Sequence, residues 1–364
     1  MKRPFLNIAL FVLFLFGISV NIFSQNREIA IIGVNVISME SDQILEKQTV
    51  IIKEGKIAQI GSCKEVKPSK DAFKIKGKRK YLMPGISEMH AHIPIPKEGD
   101  DTNVRHTLLL YMSNGITTIR GMLGNPYHLE LIEETKTKKV PYPRIYTSAP
   151  SLNGNSVKSK EEARRKVTRY KKDGYHFLKM HPGLTLENFD EIVKTANEVG
   201  IKFSGHISTA VGIRHSLDSK YASIDHLDGF VEGLVPESAG VHPDSNGFFG
   251  VNFTDKVDMS LLPDLVKKTK ENGVWLVPTH VLMPHIIGPI DVNTLSNLPE
   301  MKYVSPKTRF QWRQVKSQIV NDPNYDPELV NEFLEIRDKI LKAMHELHQH
   351  IDICFILFSI NPLY

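Results

Sequence analysis

The sequence predicts a parallel α/β architecture, and two observations carry that prediction. From Leu82 onward, short apolar runs alternate with helical stretches, and Gly115, Gly174, Gly200 and Gly273 each follow one of those stretches. Strand, helix, glycine, strand, repeated this often, marks βα units laid side by side, because a parallel strand is reached only through a long crossover. A closed barrel and an open doubly wound sheet look alike at this level.

The elements follow in order. Lys2 and Arg3 precede an almost wholly apolar run, Leu6 to Phe23, and then polar Ser24-Gln25-Asn26. Residues 1–25 therefore read as a secretory signal peptide, with an uncleaved membrane anchor as the alternative, and the chain is expected to be exported, periplasmic or extracellular. Residues 26–83 are β-rich. Ile29 to Ile37 reads as a strand, and Thr49–Lys53, Glu54-Gly55 and Lys56–Ile60 read as a hairpin. Apolar runs then recur at Leu82–Met89, Ile116–Ile119, Arg144–Thr147, Phe177–Met180, Lys202–Gly205, Ala222–Ile224 and Val274–Pro278. Helices are expected over Val104–Asn114, Lys160–Asp173, Leu186–Val199 and Leu261–Asn272, each stopped by its glycine. Two longer insertions, Gly229–Asp258 and His280–Pro327, interrupt the rhythm, and long loops of this kind serve as lids or binding loops.

Composition excludes several classes. At 364 residues, 41% hydrophobic and 24% charged, the chain holds one large domain or two smaller ones and is not disordered or coiled-coil. The formal charge of +5 is spread along the chain, which argues against nucleic-acid binding. With only Cys63 and Cys354, no disulfide framework is implied, and no cysteine between His90 and His226 offers a zinc-finger ligand.

His90-Ala91-His92 ends the first long apolar run. Residues two apart on a strand point to the same side, so both imidazoles can reach one point at the strand's C-terminal edge. The run Leu82-Met83-Pro84-Gly85-Ile86-Ser87-Glu88-Met89-His90-Ala91-His92 resembles the opening of the amidohydrolase superfamily: a Pro-Gly turn, an apolar strand, then His-x-His. The nearest resemblance is to its imidazolonepropionase-like and prolidase-like branch, although that family usually has Asp where this chain has Glu88.

The resemblance implies a TIM-type (β/α)8 barrel over 84–346, with 26–83 as the N-terminal part of a small β-sandwich. It implies a divalent metal centre, one or two zinc ions, held by His90, His92, Lys179, His206 and His226. His90 and His92 fall at the end of the first predicted strand, Lys179 of the fourth, His206 of the fifth and His226 of the sixth. Lys179 would be carboxylated, because a neutral amine bridges two cations poorly whereas a carbamate offers anionic oxygens. The implied reaction is metal-assisted hydrolysis of a C–N bond in an amide, a cyclic amide or an Xaa-Pro dipeptide. Phosphotriester or lactone hydrolysis is the further alternative on the same constellation. The implied partner is a small-molecule or dipeptide substrate, with a homo-oligomer as a compatible assembly. Arg120 and His280 are candidate substrate contacts, Arg120 for a carboxylate, with an internal ion pair and a loop histidine as the alternatives. His181 also falls at a strand end.

The pattern breaks near the C-terminus. The superfamily uses an aspartate after the eighth strand as metal ligand and general base. Here the last helix, Pro327–Glu346, is followed by 347–364, whose only aspartate, Asp352, precedes the apolar run Ile353–Phe358. The barrel is therefore expected to be incomplete at the eighth strand, with a truncation or frameshift near Leu347. A catalytically inactive, metal-binding remnant is the competing reading, since loss of a general base removes about 10²–10⁴ in rate.

Overall fold

Helix stops and strand edges in this chain come from local chemistry. The computed structural model describes residues 28–137 and 141–347, so the predicted leader, 1–25, and nearly all of the divergent tail lie outside the described residues. The chain divides into two compact units, 1–85 and 86–364.

The first unit is built on one five-stranded sheet. Its strands are β1 (Ile29–Ile37), β2 (Ile44–Lys53), β3 (Lys56–Ser62), β4 (Phe73–Lys76) and β5 (Tyr81–Leu82). The order is β3-β2-β1-β4, with β5 also on β1. The β2–β3 hairpin turns through Glu54 and Gly55 at φ 50° and 73°, the doubly positive pair of a type I′ turn that matches the strand twist. Small apolar clusters built on Ala30, Ile51 and Val66 and on Val34, Val36 and Val50 form its core. The described residues supply this single sheet, and the second sheet of a sandwich is not among them.

Among its described residues the second unit carries seven parallel strands: β6 (Ile86–Ala91), β7 (Ile116–Gly121), β8 (Arg144–Thr147), β9 (Phe177–Met180), β10 (Lys202–Gly205), β11 (Ser223–Asp225) and β12 (Trp275–Val277). They form two ladders, β6-β7-β8 and β9-β10-β11-β12. Parallel bridges from Ser148 to Phe177 and from Leu152 to Met180 join β8's end to β9, so spatial order follows chain order throughout. Such strands are covered on both faces, and β9 and β11 are buried at every position. Among the described residues no eighth strand follows β12, and no ladder joins β12 to β6.

The connecting helices are α1 (Thr102–Ser113), α2 (Pro126–Thr137), α3 (Lys160–Asp173), α4 (Leu186–Val199), α5 (Gly212–Asp218) and α6 (Leu262–Glu271). After β12 come α7 (Leu282–Ile286), α8 (Val292–Ser296), α9 (Pro306–Val320) and α10 (Pro327–Leu347). Helix α4 buries Phe189, Ile192 and Ala196, a stripe at helical spacing. Each large apolar side chain so buried contributes about 1.5–3 kcal/mol. Helix α10 adds Phe333, Ile336, Ile340 and Met344 to the same core.

Helix α3 shows how the ends are set. Ser159 is its N-cap, and its hydroxyl accepts the Glu162 N–H at 3.2 Å. Gly174 ends the helix at φ 94°, a left-handed conformation in which a Cβ would be strained. Ser159→Ala is expected to cost about 1 kcal/mol, read as a lower urea midpoint at unchanged slope. An unchanged midpoint would mean the cap contributes nothing.

Candidate active site

The C-terminal ends of the strands gather one row of imidazoles. His90 lies on β6 and His92 just past it, and their Nε2 atoms are 3.2 Å apart. His206 follows β10 and His226 follows β11. Ring centroids lie 5.2 Å apart for His92–His90, 4.4 Å for His90–His226, 4.9 Å for His226–His206 and 4.7 Å for His206–His181. Each ring in the row thus touches the next. Strand alternation brings His90 and His92 to one side, and the parallel order of the strands places the others beside them.

Asp225, the last residue of β11, lies at the centre and escaped the sequence reading. Its side chain is fully buried. Oδ2 accepts from Lys179 Nζ at 2.8 Å and lies 3.2 Å from His90 Nδ1, and Oδ1 is 3.5 Å from Arg120 Nη2. Burial works to raise its pKa, but Lys179, His90 and Arg120 outweigh that and hold the carboxyl well below its usual range. The signal available in sequence was a carboxylate beside His226 at a strand end, in a unit whose interior already held a lysine and an arginine needing a counter-charge.

Lys179 is 1% exposed, and burial lowers its pKa against the pull of Asp225. As it stands it is the cationic partner of Asp225. Arg120 also turns inward: Nε donates to the Met89 carbonyl at 2.8 Å, Nη2 donates to Ser223 Oγ at 2.9 Å, and the guanidinium lies over the Phe177 ring. In this structure it braces the interior, as the internal ion-pair alternative expects. His280 pairs with Asp338 at 2.9 Å on a half-exposed surface and not with the imidazole row.

The histidines are tuned to be neutral. Burial, with nearby positive charge, holds His92, His206 and His226 well below the ordinary imidazole range; burial lowers His90 too, against Asp225, and brings His181 down to about 2. Outer groups orient them. His206 Nδ1 is 3.1 Å from Asp228 Oδ2, which also accepts the Ile207 N–H at 3.0 Å. His226 Nδ1 is 2.5 Å from Thr279 Oγ1, and His90 Nδ1 faces Asp225. The Glu88 carboxylate accepts the His90 N–H at 2.8 Å. His226, Leu227 and Thr279 all have positive φ, 62°, 55° and 46°, which for such residues costs about 1–3 kcal/mol each. Buried Arg337 of α10 clamps this strained corner, donating to the His226 carbonyl at 2.7 Å and to the Pro278 carbonyl at 3.3 Å. The insertion Gly229–Asp258 borders the row through Phe249, whose ring lies 5.4 Å from that of His226.

The arrangement suits a divalent cation in donor type. Nδ1 of His206 and of His226 is taken by an outer oxygen, of Asp228 and Thr279, which leaves Nε2 for a ligand. Among the described residues, however, no group of three or more His, Cys, Asp or Glu side chains closes around one point as a finished cage. Asp225, the nearest carboxylate, is committed to Lys179.

Two predictions follow from this electrostatic arrangement. Asp225→Asn leaves buried positive charge without its partner and is expected to cost about 3–5 kcal/mol by denaturant unfolding. Because the folded pKa of Asp225 is depressed, its contribution is present above its unfolded value near ~3.9 and is lost as pH falls through the folded value. The variant should therefore flatten the acid limb of the stability–pH curve. Glu232 behaves oppositely: burial raises it to about 7, and its Oε1 accepts from Asn246 at 2.6 Å. An acid with a raised folded pKa loses stability as pH rises, here between about 4.5 and about 7. Glu232→Gln should remove that loss, and a steeper fall in the variant would refute the assignment.

Comparison with known proteins places the chain. Residues 81–317 match the amidohydrolase family. No curated protein matches the chain. Among solved structures, it resembles a bottromycin amidohydrolase at 18% identity and TM-score 0.63, covering 88% of this chain and 66% of that one. It resembles a protein from Bifidobacterium longum assigned as a prolidase at 18% identity and TM-score 0.60, covering 88% and 71%. A Xaa-Pro dipeptidase with methionine in its active site matches at 16% identity and TM-score 0.55, covering 88% and 84%. The chain thus spans about two thirds of the bottromycin amidohydrolase, and at these identities the likeness is one of fold. The family match covers more than half of the chain, and on that ground the chain belongs to the amidohydrolase family.

Proposed function

We propose that this chain is a metal-dependent hydrolase of C–N bonds, acting on an amide such as that of an Xaa-Pro dipeptide or a cyclic amide. The observation that carries the reading is the row of neutral, outer-oriented histidines at the strand ends. His90, His92, His206 and His226 would hold the cation, with zinc as the favoured ion. A divalent ion held there supplies a lowered water pKa and a polarised carbonyl. Asp228 and Thr279 fix the rings of His206 and His226, and Lys179 and Arg120 neutralise Asp225. Carboxylation of Lys179 would add an anionic ligand but would set it against the Asp225 carboxylate 2.8 Å away. The prolidase and dipeptidase structures among its relatives in fold support the substrate class. The charged and then apolar N-terminus supports an exported enzyme.

One observation favours a second reading, a chain that binds metal and substrate without turnover. Asp225, the carboxylate nearest the histidines, is committed to Lys179, His90 and Arg120 and so is not free to accept a proton from water.

Metal analysis of the purified full chain, with Xaa-Pro dipeptide hydrolysis in added zinc or manganese, tests both. The wild type should retain metal, and His90→Ala and His206→Ala should lose it together with hydrolysis. Asp228→Ala should weaken metal affinity by about 10–100-fold. Retained metal with dipeptide binding but no hydrolysis selects the second reading. A metal-free wild type, indifferent to His90→Ala, removes both.

A further inference from the structure

His181 belongs to the row of rings but is held differently from the others. Its Nδ1 lies 2.6 Å from Ser151 Oγ, and no carboxylate orients it. The hydrogen bonds around Ser151 fix the direction of that contact. Asn153 Oδ1 accepts the N–H groups of Asn155 and Ser156 at 2.8 and 2.9 Å, so its amide nitrogen is the end that faces Ser151. That nitrogen donates to Ser151 Oγ at 3.1 Å. Among the described residues, His181 Nδ1 is the one acceptor within reach of the Ser151 hydroxyl proton, so Ser151 donates to it. A neutral imidazole that accepts at Nδ1 carries its proton on Nε2.

His181 also lines a cavity. Residues 153–155 and 181–183 and His206 line a space of about 470 Å³. The two turns meet closely: Gly154 N–H donates to the Pro182 carbonyl at 3.3 Å, and a Cβ on Gly154 would lie 2.1 Å from the Gly183 carbonyl oxygen. Glycine at 154 is what allows both walls to form at this distance. The cavity is therefore bounded by fixed backbone and by one histidine of defined tautomer, next to a candidate metal ligand.

We propose that His181 is a substrate-positioning donor whose Nε2–H takes a carbonyl or carboxylate oxygen of a ligand seated in this cavity, with Ser151 and Asn153 as the residues that set its tautomer. The proposal rests on the amide-hydrolase reading for the identity of the ligand only, because the tautomer is a property of the chain itself.

The test uses the full chain with 15N-labelled histidine, the His181 signals being assigned from their loss in His181→Gln. The wild type should show the Nε2–H tautomer. Ser151→Ala should shift His181 toward a mixture, and Ser151→Thr, which keeps the hydroxyl, should restore the wild-type signature. In parallel, calorimetry measures binding of N-methylphosphonate-L-proline, a compound with tetrahedral and carboxylate oxygens already seen bound to a prolidase of related fold. Loss of one such hydrogen bond should weaken binding about tenfold in His181→Ala, with zinc content unchanged. If His181→Ala does not fold, Ser151→Ala carries the same comparison. An Nδ1–H signature in the wild type overturns the proposal, as does equal probe affinity in wild type and variant. Joint loss of zinc and probe also overturns it, because His181 would then serve the metal rather than the substrate. Failure of the hydrolase reading shows separately, in the His90→Ala metal analysis.

Discussion

A carboxylate buried at the end of β11 sets the terms for the rest of the second unit's interior. An isolated charge moved from water to such a place costs far more than a fold of this size has to spare. Asp225 is tolerable there because Lys179 from β9, His90 from β6 and Arg120 from β7 converge on it. These strands belong to two different ladders, so the charge cluster ties β6-β7-β8 to β9-β10-β11-β12 at the end where the histidines stand. The exposed ion pairs elsewhere, such as Arg164 with Glu198 across α3 and α4, are of another kind. Solvent screens them, and each contributes about 1 kcal/mol or less.

Around this cluster the histidines are made neutral and are pointed. Burial removes their charge, Asp228 and Thr279 occupy one ring nitrogen each of His206 and His226, and His90 Nδ1 faces Asp225 at 3.2 Å. The result is a set of second nitrogens with one shared environment. The strained corner at His226 and Leu227 persists because Arg337 satisfies its carbonyl from α10. Sequence-distant helices thus take part in the site: truncating α10 would release the carbonyls of His226 and Pro278 and expose the apolar core that Phe333 and Ile340 fill.

Family membership and chemistry rest on different observations. Membership rests on the matched span from 81 to 317. Chemistry rests on which groups are neutral, which are paired and which face open space. By that criterion the row from His92 to His206 presents neutral imidazoles, the donor type proposed above for a cation, and His181 meets Ser151, which Asn153 meets in turn.

Much of this was legible in the residues alone. Period-two spacing placed His90 and His92 on one side of a strand, helical spacing and glycine stops gave α3 and α4 to the residue, and the order of strand ends put Lys179, His206 and His226 in line. These are local properties, governed by backbone geometry over a few residues. What only the tertiary structure decided is who pairs with whom. Asp225 lies forty-six positions from Lys179 in sequence, and nothing in either neighbourhood says that one will neutralise the other. Arg120 was equally ready, by sequence, to bind a substrate carboxylate or a buried one. His280 sat at the right strand end and turned to Asp338 on α10. Closure of the barrel is likewise a long-range matter, because it depends on a ladder between the first strand and the last, and the described residues carry seven strands without that ladder. Charge pairing in a low-dielectric interior acts through space and not along the chain, and for that reason it was the part the sequence left open.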